Sequence, residues 1–339
     1  MSIIKIETIN TISAINHEQW NGLVQRSPLG SFFHTWEWLK AIEDGIHLLP
    51  FHIVIRKQGN LIGILPNFLG PIGGSPLNRI ESTQPGFGGP VIVSDEKKVM
   101  DLMLDTVARW RSQGAVCHYM TTLNQGYVRY AQYLARRGYK VDLRSARFIL
   151  DLRRKWAEIE SDMNKSRRYN LRTARSRGID VKKRNLSSHT LELFYETYEK
   201  AMRRVGACPY PIRFFNCLAK EIPDRIIIFS AFREGEEIGS YIYFLDNEQS
   251  SLHHFFAAVD QDAFKFYPNE ILHERLIKWG QENGFEKYDF GGTQSDWRNG
   301  RFRFKQEFGG DPLPVLSWEK GLFRFSDPLL KWARRIVTH

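Results

Sequence analysis

Cysteine is scarce in this chain: Cys117, Cys208 and Cys217 are the whole supply, and none stands in a C-x-x-C pair. Three scattered thiols exclude a disulfide framework and a paired-cysteine zinc site, and they predict a reducing compartment. Long apolar runs are also lacking. No stretch approaches the ~18 consecutive apolar residues that a spanning helix needs. Met1 to Ile15 mixes Lys5, Glu7 and Asn10 among its apolar residues, without the basic segment and uninterrupted apolar run of a signal peptide. The expected location is the cytoplasm. Acidic residues, finally, are nearly absent from one segment. Residues 165–184 hold Lys165, Arg167, Arg168, Arg172, Arg175, Arg177, Lys182, Lys183 and Arg184 against Asp180 alone, in a chain whose net charge is +10. Such a cluster predicts an anionic partner, whether RNA, a nucleotide phosphate or a charged membrane surface; the plain alternative is a solvated basic face.

What is present is enough for two packed cores. The 339 residues are about twice the usual domain size, and 42% of them are hydrophobic, with 23 Phe, 13 Tyr and 9 Trp. Two segments read as strand, glycine-containing turn, strand. The first runs from Phe51 to Arg56 and from Leu61 to Leu65; the second from Ile226 to Phe232 and from Ile238 to Phe244. Gly59, Ile62 and Gly63 recur as Gly235, Ile238 and Gly239, each displaced by 176 residues. Downstream of each hairpin comes an amphipathic helix, from about Lys97 through Trp110 and from about Asn269 through Trp279. Each stops at a glycine, Gly114 or Gly284, and an apolar strand follows. The matched order predicts an internal duplication of one α/β unit. The seam is expected after the strand Arg147 to Leu152, giving domains 1–152 and 153–339. The second opens on a basic helix, Asn164 to Gly178, on which Lys165, Arg168, Arg172 and Arg175 share a face.

The most distinctive stretch is Tyr288-Asp-Phe-Gly-Gly-Thr293 with Arg301-Phe-Arg-Phe-Lys-Gln-Glu-Phe-Gly-Gly310. A strand ending in paired glycines lets a ligand or another backbone come close. Arg301, Arg303 and Lys305 alternate with Phe302 and Phe304, so an extended chain would separate cations from aromatics. Groups able to take up a proton near this stretch are Asp289, Glu307, His253 and His254. Adjacent strand histidines point to opposite faces, so His253 and His254 cannot both serve. Asp289, at the strand end, is one candidate for a catalytic role, with substrate or solvent as the alternative proton acceptor. Lys165, Arg168 and Arg172 are the candidates for phosphate contacts. Trp36, Tyr241, Tyr243 and Tyr267 could line an acceptor pocket, although core positions are the usual fate of such aromatics.

In their order, these residues resemble the Fem proteins (FemABX type), peptidoglycan bridge-forming transferases related to methicillin-resistance factors and part of the wider GNAT-like acetyltransferase superfamily. The resemblance covers nearly the whole chain. It is carried by Ser31-Phe-Phe-His-Thr-Trp-Glu-Trp-Leu39, by Lys165-Ser-Arg-Arg-Tyr-Asn-Leu-Arg172 with Arg177-Gly-Ile179, by Tyr267-Pro-Asn-Glu-Ile-Leu272, and by Tyr288-Asp-Phe-Gly-Gly292 through Phe304-Lys305 and Phe308-Gly-Gly310. It implies an α/β (α+β) fold of two tandem GNAT-like domains, each a mixed, mostly antiparallel sheet flanked by helices. It also implies an N-acyltransferase that moves an aminoacyl group from aminoacyl-tRNA to an amine of a peptide, a cell-wall precursor, an amino sugar or a small metabolite. Some look-alikes use acyl-CoA instead. Two features depart from the pattern: no glycine occurs between Asp260 and Tyr267, where acyl-CoA enzymes carry a phosphate-cradling loop, and the long helical-hairpin insertion of some Fem members is missing. By resemblance Lys305 stabilises the oxyanion or the leaving oxygen, with Arg301 and Phe304 beside it. No permanently bound cofactor and no metal are implied.

Two other readings compete. Asp289-Phe-Gly291 echoes a kinase triplet, but kinase chemistry also needs a glycine-rich loop and a His-Arg-Asp loop, both lacking. A non-catalytic RNA-binding protein would account for the basic helix and the aromatics but not for the duplicated units. The tail from Phe323 to Val337 reads, after Pro328, as a short basic amphipathic helix suited to peripheral contact with anionic lipid at the inner face of a membrane.

Overall fold

Both expected hairpins form, and they share their turn geometry. In the computed structural model, which describes residues 4–46, 48–72, 75–110 and 114–323, Gln58 and Gly59 take φ of 51° and 81°, and Glu234 and Gly235 take 53° and 88°. Two successive left-handed residues give a turn whose twist suits a hairpin, and glycine fills the second position without a Cβ penalty. Each hairpin also bulges at the same place, between Ile55 and Arg56 in one and between Ala231 and Phe232 in the other. The bulge positions are again 176 residues apart.

In chain order the first elements are β1 (Ile4–Ile9), α1 (His17–Arg26), α2 (Trp36–Gly45), β2 (Leu49–Pro50), β3 (His52–Lys57) and β4 (Asn60–Leu65). Next come β5 (Phe68–Pro71), β6 (Asn78–Ser82), β7 (Val91–Ile92), α3 (Glu96–Arg109), β8 (Ala115–Thr122), α4 (Ala131–Arg136) and β9 (Lys140–Asp142). The second half holds β10 (Ser145–Asp151), α5 (Trp156–Asp162), α6 (Lys165–Ser176), β11 (Asp180–Arg184), α7 (Ser188–Arg204), α8 (Ile212–Glu221), β12 (Ile226–Arg233) and β13 (Glu236–Asp246). It continues through β14 (Ser251–Val259), α9 (Pro268–Glu282), β15 (Lys287–Gln294), α10 (Gly300–Glu307), β16 (Asp311–Pro314) and β17 (Leu316–Gly321).

These elements form two compact units, residues 1–143 with 315–339, and residues 144–314. The first contains a sheet in the order β1-β3-β4-β7 and another in the order β2-β5-β6-β8-β17-β9. Its core joins Ile53, Ile55 and Leu65 of the hairpin to Val99 and Met103 of α3 and to Trp318. The second unit has one seven-stranded sheet, β11-β12-β13-β14-β15-β10-β16. There Phe229 and Tyr243 of the hairpin pack with Leu272, Leu276 and Ile277, one apolar face of α9. Each fully buried side chain of this size contributes about 1.5–3 kcal/mol.

The units divide the chain differently from the seam expected after Leu152. Strand β10 lies between β15 and β16 in the second unit's sheet, and β17 returns to pair with β8 and β9 in the first. Partners this far away in sequence leave no local change of composition to read. The basic helix forms as expected, capped by the Asn164 side chain, which accepts from the Ser166 amide. Residues 301–305 are helical, so their cations and aromatics are not sorted onto two faces as an extended chain would sort them. Asn299 Oδ1 accepts from the amides of Arg301 and Phe302 and so starts α10. The tail helix read after Pro328 lies outside the described residues.

Candidate active site

In the second unit, β14 and β15 run parallel and pair only at Ser251 with Lys287, Leu252 with Tyr288, and His253 with Asp289. Beyond that point β14 continues to Val259 paired with β13, and β15 continues to Gln294 paired with β10. Where their mutual pairing stops there is a cavity of about 660 Å³. Its walls come from α7, β14, the first turns of α9, the end of β15, and α10.

Gly291 is the pivot of this site. Its φ is +76°, and a Cβ there would stand 2.6 Å from the carbonyl oxygen of His254. A side chain is excluded both by conformation and by space. The backbone therefore turns freely enough for the carbonyls of Gly291 and Gly292 to accept from Lys305 Nζ at 2.7 and 2.9 Å. An ammonium has three N–H donors, so one remains for the cavity that Lys305 lines. Burial pushes the Lys305 pKa down to about 8, with Arg301 pushing the same way and Asp289 opposing. Lys305 thus stays mostly protonated at neutral pH.

Asp289 does not line this cavity. It is 2% exposed and meets Arg147 Nη1 at 2.5 Å and His253 Nδ1 at 3.3 Å, while its Oδ1 accepts from the Gly291 amide at 2.8 Å. Burial disfavours the carboxylate, but Arg147, then His253, and the Gly291 amide outweigh it and hold Asp289 well below the usual carboxylate range. Burial opposes a charge on His253, yet Asp246 and Asp289 outweigh it and raise its pKa above the usual imidazole value. So strong an anion, already committed to an arginine, is a poor proton acceptor. The geometry makes Asp289 a support for the Gly291 turn.

The histidine on the other face of β14 is different. His254 lines the cavity, its Nδ1–H directed at the Phe290 carbonyl at 3.2 Å, and burial drives its pKa down to about 3, Lys305 adding to the effect. Beside it stand Tyr241, whose hydroxyl donates to Asn269 Oδ1, and His273, which shares a hydrogen bond with Tyr288. Burial, with His254 and Lys305, keeps His273 neutral as well. Strongly shifted groups gathered in one cavity mark a functional-site candidate.

Of the residues singled out in the sequence, the cavity brings together Lys305, Arg301, Phe304 and Tyr241. His254 and the paired glycines Gly291 and Gly292 line it too, but the other candidates lie elsewhere. Tyr243 is a core residue, fully buried, with its hydroxyl 3.5 Å from the Leu272 carbonyl. Tyr267 caps α9 in a left-handed conformation beneath the Arg177 guanidinium. Trp36 belongs to the first unit, where its indole donates to the Ile12 carbonyl at 3.0 Å. Lys165 and Arg172 are exposed on α6, and Arg168 donates to the carbonyls of Ser161 and Met163. The basic cluster is also less bare than it reads. Arg167 pairs with Glu270 and Glu307, and Arg175 pairs with Glu160 and Glu274. Sequence reading passed over His273 and Asn269. The spacing of three and four in Asn269, Leu272, Leu276 and His273 could have shown two residues at the sheet-facing start of α9, but not what they face.

Residues 165–306 match the family model of the acetyltransferase (GNAT) domain. That span lies within the second unit and contains the whole cavity. Among solved structures, FemX is similar over 96% of this chain and 99% of its own, with a TM-score of 0.69 and 14% identity. A tandem GNAT protein from the clavulanic acid biosynthesis pathway aligns over 95% and 99%, with a TM-score of 0.60 and 11% identity. L-PGS from Bacillus licheniformis aligns over 94% and 96%, with a TM-score of 0.60 and 11% identity. A search of curated proteins finds no match. At these identities the likeness is one of fold: the chain has the tandem GNAT-like architecture that its sequence order resembled, and the family-model match falls in its second unit.

Proposed function

We propose that this tandem acetyltransferase-like chain is an N-acyltransferase that takes an aminoacyl group from aminoacyl-tRNA and passes it to an amine. The acceptor classes are a peptide, a cell-wall precursor, an amino sugar or a small metabolite. One observation carries the reading: Lys305 Nζ, fixed by the carbonyls of Gly291 and Gly292, lines a cavity opened where two parallel strands stop pairing. In such a transfer a neutral amine attacks the acyl carbonyl, a C–N bond forms, and the carbonyl oxygen becomes an oxyanion. The C–O bond to the donor then breaks, the nitrogen sheds a proton and the departing oxygen gains one. A preset ammonium at the oxyanion lowers the barrier because it needs no reorganisation as charge develops, and one such donor contributes about 3 kcal/mol. Lys305 takes that role. Arg301, exposed beside it, meets the anionic part of the donor. Asp289 acts through the Gly291 turn and positions Lys305.

The likeness to FemX supports the aminoacyl donor, and so does the segment before α9. It has no glycine from Asp260 to Tyr267, and Pro268 at the first helical position supplies no N–H. A pyrophosphate cradle here would lack one backbone donor and the close approach that glycine permits. Lys165 and Arg172, exposed on α6, are placed by this reading against tRNA phosphates. The alternative donor, acyl-CoA, is favoured by the acetyltransferase family match across the cavity. Incubating the protein with radiolabelled aminoacyl-tRNAs and, separately, acyl-CoAs across an amine panel tests both. Label appearing in amide product from charged tRNA is expected; product from acyl-CoA alone selects the alternative, and no product from either removes the acyltransferase reading. A cytoplasmic location follows from this donor.

A further inference from the structure

The cavity has two chemically different ends. Lys305, His254, His273, Asn269 and the Gly291–Gly292 backbone form the polar one. The other is built on α7, where Tyr198, Ala201, Met202 and Val205 follow the i, i+3, i+4, i+7 spacing of a single helix face. Such a stripe ordinarily closes against a sheet. Tyr198 does so, edge-on to Phe256 of β14 with ring centroids 5.9 Å apart, and is buried with Ala201, whereas Met202 and Val205 line the outer part of the cavity with Phe264. Val205 and Phe264 remain 45% and 42% exposed, apolar surface that a ligand running outward from Lys305 would cover.

Charge narrows the ligand. Among the described residues lining the cavity there is no Asp or Glu, while Arg204, Arg301 and Lys305 are all cationic. His254 and His273 are neutral, so they add no compensating charge of either sign. A cationic side chain placed here would meet like charge and lose its water without gaining a carboxylate. An acetyl group would leave most of the 660 Å³ unfilled. We infer that the acyl group handled by this site is bulky and apolar, its carbonyl at Lys305 and its chain running past Met202 and Val205 toward Phe264. This rests on the acyltransferase reading for the word acyl, but the pouch and its selectivity can be measured without turnover.

The test uses three unreactive amides: hexanamide, acetamide and 6-aminohexanamide, titrated calorimetrically into the full-length protein. Hexanamide should bind at least tenfold tighter than either of the others. Met202→Glu should shift preference toward 6-aminohexanamide by tenfold or more. Val205→Glu, at a half-exposed position that folding tolerates, repeats the swap should Met202→Glu fail to fold. Equal or tighter binding of 6-aminohexanamide or acetamide by the parent protein overturns the inference. Transfer assays with phenylalanyl-, alanyl- and lysyl-tRNA, and with hexanoyl- and acetyl-CoA, separate the two claims. Hexanamide selectivity without transfer from any donor keeps the pouch and removes the acyltransferase reading. Equal transfer of lysyl, small and bulky groups keeps the enzyme and removes the pouch.

Discussion

The strand after the glycine stop ends differently in the two units. Gly114 and Gly284 have φ of 79° and 78°, and each releases a strand that pairs in parallel with an earlier one of its unit, β8 with β6 and β15 with β14. Counted from these stops, Thr121 and Thr122 occupy the places of Gly291 and Gly292. The Thr121 carbonyl accepts from the Gly88 amide at 2.7 Å, and Thr122 Oγ1 donates to the Leu316 carbonyl at 2.8 Å. In the second unit the matching carbonyls accept from Lys305 Nζ. One acceptor position thus serves a neutral loop amide in one copy and a buried ammonium in the other. A duplicated scaffold keeps its turns and register, and diverges where a strand end can be either sealed or charged.

The largest effect expected from breaking this comparison lies beneath the turn. Asp289→Asn leaves Arg147 and His253 buried without their shared anion, so it should cost about 3–5 kcal/mol in chemical denaturation. Tyr119→Phe, at the corresponding place in the first unit, removes a neutral hydroxyl's bonds to Asp142 and Ser317 and should cost about 1 kcal/mol. Similar losses at the two sites would dissolve the distinction. The Asp289 carboxylate is held ionised by folding, so its contribution is complete above the unfolded pKa of about 4 and disappears as pH falls through the depressed native value.

Next comes the ammonium itself. Lys305→Met should lower kcat by about 10²–10³-fold, with the circular dichroism spectrum and melting profile retained. With an acceptor amine of low basicity, neutral throughout the range, the parent's rate should decline as pH rises through about 8, where Lys305 loses its charge. The variant should show no such decline. An undiminished rate removes Lys305 from its role.

Smaller is the cost of closing the glycine turn. Gly291→Ala forces a left-handed alanine against the His254 carbonyl, so about 1–3 kcal/mol of stability should be lost, and activity with it. Thr121→Ala should be tolerated within about 1 kcal/mol. Smallest, and equal in both units, is the effect of Gly59→Ala and Gly235→Ala. Both positions have positive φ and open space around them, so each should cost about 1 kcal/mol from backbone conformation alone. Unequal melting shifts would mean that the two turns differ in more than sequence.

Much of the scaffold was legible because its signals are local. The glycine turns, the stops at Gly114 and Gly284, the periodic helices and the Asn164 cap each act within a few residues, as does the steric reason why paired glycines admit a close neighbour. Lys305 could be picked out beside that strand end by resemblance, before any distance was known. Less legible was the conformation of residues 301–305. Their alternation of cations and aromatics satisfies a strand pattern, but the Asn299 cap and the packing of Phe302 on Phe148 and of Phe308 on Phe290 favour a helix.

The sequence by itself determined the repeated α/β unit, its turns and the concentration of positive charge on α6, since propensity, capping and composition are properties of neighbours along the chain. Only the tertiary structure decided that β10 and β17 lie in different units, that Glu270, Glu274 and Glu307 neutralise part of the basic helix, and that Asp289 is spent on Arg147 rather than facing the cavity. Those outcomes depend on which charges are buried together. Desolvation and pairing act through space, between residues that stand as many as 142 positions apart.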